Sequence, residues 1–273
     1  MVFGSMPNDG GHLLLSDSEK TELLAKEPGA EKWVRPFLGA DEFINGLTRW
    51  CLWLKDIPPE ALKRLLLVMA HVEGVRKHRE NSKRASTNKL AKTPTLFGEI
   101  RQPRTNYLAV PKTSSERRAF IPIGFLTPTT IASTELFTVS DAAPLHFGIL
   151  SSTMHMAWVH YVCGRLKSDF RYSAQIVYNN FPWPQKLEDK LRSAIEAAAQ
   201  GVLHARAAHS GATLAQLYNP NTMPPELTKA HAKLDRAVDA GYMPDGGQRT
   251  YASDAERVAF LFRRYAELTS LVG

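Results

Sequence analysis

The sequence has few of the features that mark secreted, membrane-spanning or metal-dependent proteins. Only two of its 273 residues are cysteine, and Cys51 and Cys163 lie too far apart to form a CxxC pair. No apolar run approaches the roughly 20 residues that would span a bilayer, and the first residues lack the basic start and apolar stretch of a secretion signal. No Cys-His or His-Glu-x-x-His spacing indicates a metal site. We therefore expect a cytoplasmic protein with free, buried thiols, no membrane contact and no bound metal.

The composition is that of an ordinary folded protein, with 44% hydrophobic and 22% charged residues. A chain of this length forms one domain or two. We predict two, because the composition shifts toward alanine after the segment Phe-Pro-Trp-Pro at residues 181–184. The expected fold class is α+β, with a mixed domain of short β-strands and flanking helices over residues 1–184 and an all-helical tail over residues 185–273.

Local patterns predict the main secondary-structure elements. Short runs rich in aromatic and β-branched residues predict strands at residues 13–15, 50–54, 107–110, 118–121 and 136–139. Helices are predicted at residues 18–27 behind a Ser16 or Ser18 cap, from Pro144 to a left-handed cap at Gly164, and near residues 185–208, 225–240 and 252–271. A further helix is predicted to start at the prolines 58 and 59 and to bury an apolar stripe made of Leu62, Leu65, Leu66, Met69 and Val72.

The positive charge is concentrated in one part of the chain. The whole sequence carries +7, whereas residues 76–118 alone contain twelve Lys or Arg and three Glu, a net charge of +9. Clustered cations release counterions from a phosphate backbone, so a polyanion is the natural partner; a solvated basic helix is the alternative. The predicted phosphate contacts are Arg76, Lys77, Arg79, Lys83, Arg84, Lys89, Lys92, Arg101, Arg104, Arg117 and Arg118. Gln102 and Asn106 carry amides able to bond adenine edges.

Charged residues occupy every second position after Gly164, at Arg165, Lys167, Asp169 and Arg171. In one extended strand these four side chains would share a face. Lys and Arg donate to guanine O6 and N7, while Asp accepts from cytosine N4. We therefore predict a base-reading strand in which the Lys-x-Asp pair reads one G·C pair. A solvent-facing strand of mutually paired ions is the alternative.

Several long stretches, taken in order, resemble a known family. They are Phe3-Gly4-Ser5-Met6-Pro7-Asn8-Asp9-Gly10-Gly11, then Phe97-Gly98-Glu99-Ile100-Arg101-Gln102-Pro103, and finally Gly164-Arg165-Leu166-Lys167-Ser168-Asp169-Phe170-Arg171-Tyr172-Ser173 leading into residues 178–184. Together they resemble the recognition domain and helical tail of MmeI-type (type IIL) restriction-modification DNA methyltransferases.

This resemblance implies sequence-specific recognition of double-stranded DNA. It also implies a parent polypeptide with an adenine-specific (N6) methyltransferase domain that uses S-adenosylmethionine, usually accompanied by a nuclease domain, and that methyltransferase domain would be a partner of this region. The pair after Gly-Arg-Leu, Lys167 and Asp169, is implied to read one base pair with Arg171 beside it. The region near Glu135 is implied to approach the bases.

The chain departs from such a methyltransferase in its catalytic motifs. It has no glycine-rich loop after a strand for the cofactor and no Asn/Asp-Pro-Pro-aromatic segment to grip a flipped base. We therefore expect no catalytic residue and no S-adenosylmethionine bound to this chain. One alternative is a module for single-stranded nucleic acid or RNA, with Tyr107, Phe120 and Tyr172 as stacking platforms. Another is a protein-interaction scaffold that pairs through the charged strand.

Overall fold

The computed structural model describes residues 1–243 and 251–270 and confirms the predicted α+β fold. The helices are α1 Asp17–Lys26, α2 Ala40–Asn45, α3 Pro59–Lys63, α4 Leu66–Glu80, α5 Ala85–Lys89, α6 Pro144–Leu150, α7 Thr153–Val162, α8 Asp189–Ala207, α9 Leu214–Leu217, α10 Pro225–Gly241 and α11 Asp254–Ser270. The strands are β1 Val2–Phe3, β2 Leu14–Leu15, β3 Val34–Leu38, β4 Trp50–Leu52, β5 Tyr107–Pro111, β6 Thr113–Ser114, β7 Gly124–Leu126, β8 Ile131–Ala132, β9 Leu136–Ser140, β10 Gly164–Leu166 and β11 Asp169–Arg171.

The chain divides into two compact units. Unit A contains residues 2–105 and 126–138. Unit B contains residues 106–125 and 139–273 together with Met1. The division predicted from the sequence at residue 184 stays a prediction.

Unit A is built on a sheet of order β2-β4-β3-β8. The central strand β4 is antiparallel to both neighbours, and β8 runs parallel to β3 with Phe37 opposite Ile131. Leu13, Cys51 and Leu52 are fully buried in the core of this unit. The predicted first helix is confirmed as α1, and its cap is Ser16, whose hydroxyl accepts from the Glu19 amide while the Glu19 carboxylate accepts from the Ser16 amide.

The apolar stripe predicted after the two prolines is wrong in part. The helix is interrupted at Leu65, between the short α3 and the longer α4. The predicted apolar positions therefore do not lie on one face of one helix. Leu66 is 74% exposed and Met69 is 38% exposed. The buried face of α4 is formed instead by Val68, Val72, Val75 and Arg79, a 4-3-4 spacing that turns one side of the helix to the core.

Unit B contains a small sheet of order β10-β11-β6 and the neighbouring strands β5 and β7. The predicted strand at 107–110 is confirmed as β5 and is fully buried. The predicted strand at 118–121 is wrong, because this segment forms turns and places the Phe120 ring against His231, with a centroid separation of 3.9 Å and an interplanar angle of 17°. Tertiary packing of that aromatic ring overrides the local β propensity.

The long helix predicted to end at Gly164 is two helices, α6 and α7. Ser152 starts the second helix by accepting from the His155 amide, and Asp235 of α10 accepts from both the amide and the hydroxyl of Thr153, at 2.7 and 2.8 Å. A local cap from Ser152 and a tertiary cap from Asp235 therefore interrupt the helix. Gly164 does not adopt a left-handed cap; it opens β10.

The helices predicted after residue 185 are confirmed as α8, α10 and α11, and α10 packs along α8. Val258 and Leu261 form the buried stripe of α11. The Phe262 and Tyr265 rings of α11 contact the buried Trp158 ring of α7 at centroid separations of 5.2 and 6.0 Å. Residues 244–250 and 271–273 of the predicted helical tail lie outside the described residues.

Candidate functional site

The predicted base-reading segment is a β-hairpin, so the prediction of a single strand from 165 to 171 is wrong. Antiparallel strands β10 and β11 are joined by the two-residue turn Lys167-Ser168. In the register, Arg165 lies opposite Phe170 and Leu166 opposite Asp169. The turn was not recognised because Lys-Ser is not one of the Asn-Gly or Asp-Gly pairs that signal a two-residue hairpin.

The hairpin separates the four charged residues onto different faces. Residues directly opposite in an antiparallel pair share a face, and successive residues alternate. Asp169 and Arg171 therefore share the outer face, whereas Arg165 lies with Phe170 on the inner face. The inner face is packed, because Phe170 is 1% exposed and its ring meets His160 of α7 edge to face at 5.0 Å. The expectation that Arg165 shares the face of Asp169 and Arg171 is wrong.

Arg165 is used inside the hairpin. Its guanidinium lies over the Phe170 ring at 4.1 Å, donates from Nη1 to the Ser168 carbonyl at 3.1 Å and pairs with the Glu116 carboxylate at 3.5 Å. The Ser168 carbonyl belongs to the turn, and Glu116 follows β6, the third strand of this sheet. Arg165 thus connects the Ser168 carbonyl of the turn to the Phe170 ring of β11 and to the Glu116 carboxylate after β6.

Lys167 stands at the tip in a left-handed conformation, with φ of 57°. Its side chain is exposed. A β-carbon in this region costs roughly 1–2 kcal/mol, which is why Gly, Asn or Asp is the usual residue at such a turn. Strained backbone of this kind persists only where the surrounding structure enforces it, and it clusters at ligand-binding sites.

The turn after β6 supplies the other charges near the hairpin. Burial lowers the pKa of Arg118, while the Asp169 carboxylate opposes that shift by attracting the guanidinium. The Asp169 carboxylate is therefore close enough to the Arg118 guanidinium on the adjoining turn to interact with it electrostatically. Glu116 was not predicted as a site residue, and its only sequence signal is that it is one of three acidic residues between positions 76 and 118.

The exposed cations between residues 76 and 92 lie in unit A. Six of the seven predicted positions between 76 and 92 are exposed, namely Arg76, Lys77, Lys83, Arg84, Lys89 and Lys92. Arg76 pairs with Glu73 on the same helix at 3.4 Å. A surface pair of this kind contributes little to stability and leaves the cation available to a stronger anion.

Arg79 is not a phosphate contact, and that prediction is wrong. Its side chain is fully buried, and all its hydrogen bonds go to backbone carbonyls within unit A. The guanidinium donates to the carbonyls of Pro7, Asn8, Leu90, Thr93 and Leu96, at distances between 2.7 and 3.1 Å. These carbonyls use all five guanidinium N–H donors. A phosphate could bind Arg79 only by breaking these hydrogen bonds.

The remaining predicted contacts are exposed to different degrees. Arg101, Arg104 and Arg117 are exposed, whereas Arg118 is half-buried. Arg101 is paired with Glu99.

Of the two amides considered for adenine, Gln102 is occupied inside the protein. Its Nε2 donates to the carbonyls of Pro128 and Thr130, and its Oε1 accepts from the Ala132 amide. Asn106 is exposed. Glu135 is also exposed, and its approach to the bases stays a prediction.

The aromatic residues of the single-stranded alternative are in the core. Tyr107 is fully buried, Phe120 is 8% exposed and Tyr172 is 3% exposed. The Tyr172 hydroxyl bonds the Nε2 atom of buried His155 at 3.0 Å, and burial lowers the pKa of His155 to about 3. None of the three rings offers a free face for a base to stack on, so this part of the alternative is wrong.

The two cysteines are free thiols in the interior of the fold. Cys51 and Cys163 are both free and buried, and burial raises the pKa of Cys163 to about 11. Over residues 1–243 and 251–270, no cluster of three or more His, Cys, Asp or Glu is arranged to hold a metal ion. No helix among these residues is both long and apolar enough to cross a bilayer.

Comparison with known proteins assigns both parts of the chain. The family described as "MmeI, target recognition domain" matches residues 1–185, and the family described as "MmeI, C-terminal domain" matches residues 187–273. This chain belongs to the MmeI family.

Two known proteins match almost the whole chain. DNA methyltransferase A of Bacillus subtilis (strain 168) is 43% identical over 267 residues, which cover 98% of this chain and 30% of that protein. The structure of the type IIL restriction-modification enzyme MmeI in complex with DNA superimposes with a TM-score of 0.93 at 45% identity, covering 98% of this chain and 35% of that one. The chain thus spans about a third of the length of each relative.

Proposed function

We propose that this chain recognises a specific base sequence in double-stranded DNA and presents the target adenine to a methyltransferase domain of its parent polypeptide. The observation that carries the proposal is the hairpin, whose tip combines an exposed, strained Lys167 with Asp169 and Arg171 on its outer face. A two-stranded β-ribbon fits the major groove of B-form DNA. In that groove each base pair presents its own pattern of hydrogen-bond donors and acceptors. Membership of the MmeI family and the DNA complex of that relative support this reading.

Each group of charged residues has its own role in the proposal. Lys167 and Asp169 read one base pair, and Arg171 contacts a base beside it. The exposed cations between residues 76 and 92 contact phosphates and fix the protein on the duplex. Arg101, Arg104, Arg117 and Arg118 do the same. Methylation would belong to the parent, in which S-adenosylmethionine is held by a domain outside residues 1–273. The free, buried thiols fit a cytoplasmic location.

A competition assay tests the preference for duplex DNA. A labelled duplex bound to the chain should be displaced by unlabelled duplex DNA at a concentration about tenfold or more below that needed for single-stranded DNA or double-stranded RNA at the same salt. The reason is that B-form DNA alone offers a major groove wide enough for the hairpin. Equal displacement by RNA or by single strands would contradict the proposal.

In this proposal Arg165 positions Lys167 and does not contact a base. It bonds the Ser168 carbonyl of the turn, and it lies on the inner face of the hairpin. Replacing it in Arg165→Lys keeps the charge but removes the planar group that stacks on Phe170. We expect discrimination between the preferred duplex and its single-mismatch variant to fall about fivefold, the effect of losing an interaction on the order of 1 kcal/mol.

Affinity of Arg165→Lys for unrelated duplex should stay within about twofold of the wild type. Fluorescence anisotropy with the three duplexes measures both quantities. A uniform loss on all duplexes would show that Arg165 itself contacts phosphate, and unchanged discrimination would show that the tip does not need it.

A further inference from the structure

A cavity of about 240 Å³ opens in unit B between the turn after β6 and the segment after α9. Its walls carry donors and lack any acidic residue, being made of Ser115, Arg117, Arg118, Ala215, Asn219, Pro220 and Asn221. Among the described residues, neither arginine of this cavity has a carboxylate within salt-bridge distance. Both arginines line this one cavity. The Asp169 carboxylate, which is not among the lining residues, attracts Arg118, and the two cations still leave an excess of positive charge that favours an anion.

The two walls are fixed relative to each other by His231 of α10. The Phe120 ring, two residues after Arg118, stacks on the His231 ring. The Tyr218 hydroxyl, one residue before Asn219, bonds the Nε2 atom of His231 at 2.8 Å. Burial lowers the pKa of His231 to about 3, so the ring stays neutral and the packing does not change with pH in the physiological range.

Arg206 of α8 ties the same two walls a second time. Its Nε atom donates to the Tyr218 hydroxyl at 2.7 Å and its Nη1 atom donates to the Ile123 carbonyl at 2.6 Å. The cavity is therefore held open by the folded core and is not a gap between mobile loops. Walls that are already in place reduce the conformational entropy that is lost when an anion binds.

Asn219 lines the cavity and carries an amide donor. Its Oδ1 atom accepts from the Asn221 amide at 2.9 Å, and its Nδ2 group is the donor that this side chain can offer to an anion. Arg117 and Arg118 come from the region matched by the target recognition domain, whereas Asn219 and Asn221 come from the region matched by the C-terminal domain.

We propose that this cavity binds a backbone phosphate of the DNA, so that the helical C-terminal part takes a direct share in DNA binding. The proposal rests on the proposed recognition of duplex DNA. It adds a phosphate site that draws donors from both matched regions, and it extends the contacts predicted for Arg117 and Arg118 to Asn219 and Asn221.

The variant Asn219→Asp tests this site with little change in structure. The carboxylate keeps the oxygen that accepts from the Asn221 amide, and it replaces the donor with a negative charge beside the two arginines. The matched control is Gln200→Glu on α8, an exposed position whose side chain bonds only His204. Both variants change the net charge by the same amount.

Binding to a random-sequence duplex is measured by fluorescence anisotropy over a series of salt concentrations. Asn219→Asp should bind about tenfold more weakly than Gln200→Glu, and the slope of log affinity against log salt should shrink by about one, the value for one lost phosphate contact. Thermal unfolding of both variants should match the wild type.

The outcomes separate the two proposals. Equal affinity and slope for the two variants, with a wild type that binds duplex DNA, would overturn the phosphate site and leave DNA recognition standing. A wild type with no salt-dependent binding to duplex DNA would overturn both.

Discussion

Replacing the buried Arg79 with lysine should lower the free energy of unfolding by about 3 kcal/mol, although the charge is conserved. Arginine offers five donors in a rigid plane, and here they reach carbonyls on two separate segments, residues 7–8 and 90–96. The lysine ammonium has three donors at a single point and cannot reach both segments. Several buried carbonyls would lose their partners, and a desolvated cation would keep too few.

The control is Arg76→Lys, one turn earlier on the same helix. Arg76 is exposed and pairs only with Glu73, so its replacement should change stability by less than about 0.5 kcal/mol. Urea unfolding followed by circular dichroism measures both variants. The account requires a midpoint for Arg79→Lys at least about 0.5 M below that of Arg76→Lys, and coincident curves would contradict it.

The buried environment of Arg79 could not be predicted from the sequence. Arg79 occupies a core position of α4, four residues after Val75, but its type and its basic neighbours suggested a surface cation. Nothing local distinguishes a buried arginine from an exposed one. Its partners are carbonyls up to 72 residues away, such as that of Pro7. Only the tertiary fold brings those acceptors to one point.

Elements with complete local signals were predictable. The capping box at Ser16 and Glu19 fixed the start of α1, and the alanine-rich periodicity after residue 185 gave α8, α10 and α11. The break between α6 and α7 was missed because Asp235, from a distant helix, supplies part of the cap. Local patterns specify elements, whereas interruptions depend on contacts formed after folding.

The candidate site was predictable in composition but not in geometry. Lys167, Asp169 and Arg171 were selected by their alternation, and they do lie on one exposed hairpin. The turn at Lys167 was invisible, because its left-handed backbone is stabilised by Arg165 through the Ser168 carbonyl and not by a glycine. The cavity at Asn219 was equally hidden, since two segments about a hundred residues apart form it.

The largest functional effect is expected from exchanging the charges at the hairpin tip. In the double variant Lys167→Glu with Asp169→Arg, the donor and the acceptor change places while the net charge is constant. A donor reads guanine and an acceptor reads cytosine, so the preferred base pair at one position should be altered. Each well-placed contact of this type discriminates by about 1–3 kcal/mol, which corresponds to a change in preference of about 10- to 100-fold.

Affinity for unrelated duplex should remain close to that of the wild type, because phosphate contacts elsewhere supply it. The hairpin should stay folded, since Arg165 and Phe170 on its inner face are untouched. The matched control carries the same exchange on the exposed first turn of α8, Lys190→Glu with Asp189→Arg. That control should retain the wild-type sequence preference.

The measurement is selection of bound duplexes from a random pool by the wild type, the hairpin variant and the α8 control. Direct base reading by the hairpin predicts that the sequences bound by the hairpin variant differ from the other two at a single base pair. Three identical sets, or a hairpin variant that has lost preference at every position, would contradict the account.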